Sequence, residues 1–131
     1  MRVLVHSLFA TGTFLLALFA ACPQSFAFTC DMLATTVDDA RIELQRAANE
    51  TDFEAAKYHT RRAKRALDDA AMCAMDCQCD MAYLEFDTAA SHARRASNAD
   101  LVEEFVDYFS RTIRAFNSAI DALSICASMR R

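Results

Sequence analysis

The stretch VEEFVDYFSRTIRAFNSAIDALSICA, from Val102 to Ala127, places apolar residues at Val102, Val106, Phe109, Ile113, Phe116, Ile120, Leu123 and Ala127, the 3,4 spacing of one helical face. It holds neither glycine nor proline, and its length suits a helix of seven turns. Three earlier segments repeat the pattern. Cys30, Leu33, Val37, Ala40, Leu44 and Ala47 form the first, and Phe53, Ala56, Thr60, Ala63, Leu67, Ala70 and Ala74 the second. The third is Cys79, Ala82, Phe86, Ala89, Ala93 and Ala96. Helices are therefore expected at about 30–49, 52–74, 79–97 and 100–127. Thr51 with Glu54, and more weakly Ser97 with Asp100, have capping-box spacing and mark two of the starts.

The only glycine and the only proline of the chain, Gly12 and Pro23, precede these segments. A phosphate loop, a dinucleotide fingerprint or a nucleophile elbow needs glycine, so residues 28–131 can carry none of them. Hairpin turns of the Asn-Gly kind are missing as well. Four alanine-rich helices joined by short connections pack most simply as a single antiparallel, up-down-up-down four-helix bundle, which makes the fold all-α.

Residues 1–27 read as a secretory signal peptide and 28–131 as the bundle. Arg2 supplies a positive start, Leu8 to Ala21 is an uncharged apolar run, and Ser25-Phe26-Ala27 offers small residues for cleavage. The run is short for a membrane span. Leu18-Phe19-Ala20-Ala21-Cys22 resembles a lipobox and gives the competing expectation, a lipoprotein anchored at Cys22. Either route exports the chain to the periplasm or the extracellular space. The full sequence has a net charge of −4, and loss of Arg2 makes the remainder more acidic, which argues against nucleic acid as a partner.

The chain has six cysteines and six methionines, and every methionine after Met1 lies within three residues of a cysteine. In an up-down-up-down bundle the start of the first helix, the turn between the second and third, and the end of the fourth share one end. Cys30, the group Cys73, Cys77 and Cys79, and Cys126 occupy those places, which makes a sulfur-rich pole. The fourth helix is long enough to carry Cys126 about 10 Å past it. In an exported domain of this size the five cysteines are disulfide candidates, expected to form two bridges with one thiol left over. Spacing does not select among the pairings.

Three functional readings follow from that pole. The first is a disulfide-stabilised binding or interaction protein without catalytic activity and without a cofactor. Its partner would be another envelope or extracellular protein, and homodimerisation through the fourth helix is open to it. The second is a soft-metal site. Met72, Cys73, Met75, Cys77, Cys79 and Met81 put six sulfurs at one turn, a donor set that selects Cu(I). The third is thiol–disulfide exchange through Cys77-Gln78-Cys79 or the odd thiol, although Asp76 and Asp80 disfavour a thiolate there.

One repeat crosses the turn: 53–66 aligns with 86–99 at an offset of 33, matching His59 with His92 and Arg61-Arg62 with Arg94-Arg95. Both histidines fall at the border of an apolar stripe, at one height on adjacent helices and about 20 Å from the sulfur pole. Arg65 and Asp69 are spaced for an i,i+4 ion pair. No recognisable triad of catalytic groups emerges. Binding of an anionic polymer would require the arginines of both repeats on one side.

Overall fold

The structure, a computed structural model, describes residues 30–129, and these are all-helical, with no strand. The expected signal peptide, its lipobox-like Cys22 and the cleavage position lie outside the described residues. Helix α1 spans 30–49. It is followed by α2 (Phe53–Asp76), α3 (Asp80–Ser97) and α4 (Val102–Met129).

Local chemistry sets these boundaries. Asp52, in extended backbone, caps α2 by accepting a 2.8 Å hydrogen bond from Ala55 N–H, so the cap sits one residue later than the Thr51–Glu54 box suggests. Ser97 is not a start signal. It ends α3, and its hydroxyl donates back to the Arg94 carbonyl.

Helix α2 stops in a Schellman turn. Cys79 N–H donates to Ala74 O at 2.8 Å and Gln78 N–H to Met75 O at 2.9 Å, with Gln78 in the left-handed region at φ 61°. A glycine usually takes that position, and this segment has none.

The main core draws on all four helices: Leu33, Val37 and Leu44 from α1, Leu67 from α2, Phe86 from α3 and Phe116 from α4. Phe86 and Leu67 are fully enclosed, and the Phe86 and Phe116 rings lie 6.3 Å apart. Alanines at 63, 70, 74, 82, 89 and 93 fill the rest and let the backbones approach. Thr60 and Thr112 are buried without cost in lost hydrogen bonds, since each hydroxyl donates to the carbonyl four residues back.

The stripes read for α1, α2 and α3 are the buried faces of those helices, apart from the half-buried Cys30 and Phe53 at their starts. That of α4 is turned by about one position. Phe105, Thr112, Ala115, Phe116 and Ala119 are buried, while Val102 and Val106 each remain 57% exposed. Helix α4 has apolar residues on more than one face: Phe109, Ile113, Ile120 and Leu123 of the expected stripe are half-buried against the core, and Phe116 meets Phe86 of α3. The valines are left beside α1.

Two hairpins are built to one plan. Cys30 bonds Cys77 and Cys79 bonds Cys126, with a sequence separation of 47 in each case. Counted from the first cysteine of each hairpin, buried Val37 matches Phe86, Leu44 matches Ala93, Ala56 matches Phe105 and Leu67 matches Phe116. The structural period is thus that of a helix pair, not the single-helix offset of 33. Cys126 does not overhang the pole, because its Cα lies 5.7 Å from that of Cys79.

Candidate functional site

The sulfur pole is a pair of clasps. Because Gln78 turns the chain sharply, Cys77 points to α1 and Cys79 to α4, where they join Cys30 and Cys126. Both are buried, at 2% and 8% exposure. Cys73 is the one free cysteine among the described residues, half-buried one helical turn from Cys77. Burial, then the charges of Asp76 and Asp69, push its thiol above the ordinary range, against a weaker opposing hydrogen bond with Thr36.

Of the six residues read as soft-metal ligands, Cys77 and Cys79 are therefore cystine sulfurs without thiolate character, and Met72, Met75 and Met81 are exposed. Among the described residues no three His, Cys, Asp or Glu side chains gather as a metal-holding group. The Cys77-Gln78-Cys79 pair also belongs to two different bridges, so it is no dithiol. An apolar hollow of about 290 Å³ lies beside it, edged by Met81, Ile125 and Met129.

A second centre, between α1 and α2, escapes the sequence reading. Glu43 is buried on the core side of α1. Its Oε2 accepts from His59 Nδ1 at 2.8 Å, and its Oε1 from Arg46 at 3.0 Å and Arg62 at 3.1 Å. The other ring nitrogen of His59 lies 3.5 Å from Glu50. Burial pushes the Glu43 carboxyl up, but the hydrogen bond from His59 and the charges of Arg62, Arg46 and His59 outweigh it, so the group sits below its ordinary value. This network pins α1 to α2. Its outer side is an open polar groove of about 560 Å³ that also holds Tyr58, Arg61 and Arg65. The spacing of Glu43 from Ala40 and Ala47, three and four residues, is the signal that could have revealed its burial.

His59 and His92 go to different neighbours. His92 stacks on Tyr108 of α4, with ring centroids 6.4 Å apart, and its buried Nδ1 has no hydrogen-bond partner. Burial, followed by the charges of Arg111, Arg95 and Arg114, lowers its pKa below the ordinary value, with Asp107 opposing. The arginines of the two repeats diverge likewise: Arg61 and Arg62 face the α1–α2 groove, Arg94 the space between α2 and α3, and Arg95 the Tyr108 ring. The ion pair expected for Arg65 and Asp69 forms one residue earlier, between Lys64 and Asp68 at 2.6 Å.

At the end where the α1–α2 and α3–α4 connections lie, a small second core of Ala56, Ala96, Ala99 and Phe105 is packed by Phe53, Tyr108 and Phe109. Phe53 meets Phe105 edge-on at 5.7 Å, and Phe105 stacks on Phe109 at 5.4 Å. A cleft of about 330 Å³ opens over these rings between the end of α1 and the start of α4, and Val102 and Val106 edge it. Leu101, 62% exposed, stands next to it in sequence.

Two disulfides suit an oxidising, non-cytoplasmic compartment. Among the described residues no helix is long and apolar enough to cross a membrane. Comparison of the chain with protein-family models, with curated proteins and with solved structures finds no match.

Proposed function

We propose that this chain is a small exported binding protein and not an enzyme. Its signal segment, residues 1–27, is removed, and an up-down-up-down bundle clasped by two disulfides presents preformed surfaces to another protein of the envelope or extracellular space. The observation that carries this reading is the apolar cleft at the connection end, where Val102 and Val106 stand 57% exposed over a ring cluster. With Leu101, 62% exposed beside them, they form a grouped apolar surface that a partner can cover. Two clasps on a small domain also reduce the ordering cost of binding.

The polar groups support the same reading. Both nitrogens of His59 face carboxylates, Glu43 at 2.8 Å and Glu50 at 3.5 Å, so the ring serves as a tie between α1 and α2. Copper binding is the alternative, favoured by the exposure of Met72, Met75 and Met81 around the turn. It would require reduction of both bridges to free Cys77 and Cys79.

The test is capture from the native compartment with the disulfide-bonded protein and with its Val102→Asp/Val106→Asp variant, compared at equal melting temperature. A partner held by the wild type and released by the variant is the expected result. Equal retention by both proteins, or turnover of a defined substrate with no partner held, would overturn the proposal.

A further inference from the structure

The connection-end cleft has a chemical bias that narrows its partner. Glu50 and Asp52 line it, and no basic side chain does. Lys57 marks how a cation is held here: its ammonium lies 4.9 Å over the Phe53 ring and 3.3 Å from Glu54. Helix dipoles do not cancel the acid, because α1 and α3 end in this region while α2 and α4 begin there.

We infer that this acid-edged apolar cleft docks a basic amphipathic helix of another protein, its apolar side chains over Phe53, Val102 and Val106 and its lysines or arginines against Glu50 and Asp52. The floor lies between two helices with no strand edge beside it, so a helical face fits where an added strand has nothing to pair with. Val102 and Val106, one turn apart, match the i,i+4 anchors of such a helix. A second copy of this chain would bring its own acidic edge against this one, and an anionic lipid surface would be repelled for the same reason.

This inference rests on the binding-protein reading, and its experiment separates the two. The probe is a synthetic leucine–lysine peptide with its leucines on one helical face, titrated into the disulfide-bonded protein while backbone amide resonances are followed. The control peptide has glutamate in place of lysine. Expected is saturable binding with shifts centred on Phe53, Val102 and Val106, no binding of the glutamate peptide, and affinity at least about tenfold lower for Glu50→Lys/Asp52→Asn, whose asparagine keeps the α2 cap. Three results overturn it: equal binding of both peptides, shifts spread over the distant acids Asp38, Asp68 and Asp87, or sedimentation showing that the cleft is closed by a second copy. If the lysine peptide fails while Val102→Asp/Val106→Asp still releases the native partner, only the partner's chemistry falls. If capture fails too, the binding reading falls with it.

Discussion

Cys77 and Cys79 stand two positions apart and bond sulfurs on different helices, Cys30 of α1 and Cys126 of α4, each 47 residues away. One residue makes this divergence, Gln78, held at φ 61°. A left-handed non-glycine residue costs about 1–2 kcal/mol, and glycine would return about 0.5–1 kcal/mol of that through its freer unfolded chain. Gln78→Gly should raise the melting temperature by about 2–4 °C, and Gln78→Val should lower it. A fall on introducing glycine would mean that the Gln78 side chain holds the turn itself.

The two clasps close loops of equal length, so chain entropy predicts equal contributions of about 4 kcal/mol each. Cys30→Ser/Cys77→Ser and Cys79→Ser/Cys126→Ser should therefore lower unfolding free energy by similar amounts in a denaturant titration. A large inequality would assign one bridge a strained or redundant role.

Glu43 has a folded pKa below its ordinary 4.5. Its contribution to stability is accordingly complete above that ordinary value and is lost as pH falls through the folded one. Glu43→Gln should cost about 1–2 kcal/mol at neutral pH, because the arginine partners stand half in water. The difference between wild type and variant should shrink as melting curves are taken at progressively more acidic pH below 4.5.

His92 gives a second pH window. Its folded pKa lies below the ordinary 6.5, so below 6.5 the unfolded chain binds the proton first. Stability is full above 6.5 and declines as pH falls through the folded value. His92→Phe keeps a ring against Tyr108 and removes the unpaired Nδ1. It should melt higher than wild type at pH 5.5 and show no decline of its own there. A variant that melts lower at both pH 5.5 and pH 7.5 would show that Nδ1 is satisfied in solution.

The all-helical fold was legible because three helices bury one clean 3,4 stripe each. Helix α4 was legible as a helix, but its buried face is turned by about one position from the stripe, because that face includes Thr112, which scores as polar but satisfies its hydroxyl on the Tyr108 carbonyl. Along the stripe read from the spacing, Phe116 is buried and Phe109, Ile113, Ile120 and Leu123 are half-buried against the core, while its ends, Val102, Val106 and Ala127, are exposed. The sulfur pole was legible through topology, but the pairing depended on Gln78 adopting a conformation usually left to glycine. Glu43 was missed because a carboxylate on a buried face becomes sensible only once His59, Arg46 and Arg62 are brought to it from two helices.

The double clasp is tested by the intact mass of protein taken from its native compartment, denatured with a chelator and alkylated without reductant. Peptide mapping then identifies the bridges. One alkyl group is expected, on Cys73, with Cys30 joined to Cys77 and Cys79 to Cys126 on a chain beginning at Phe28. Five alkyl groups on that chain, or a bridge between Cys77 and Cys79, would contradict it.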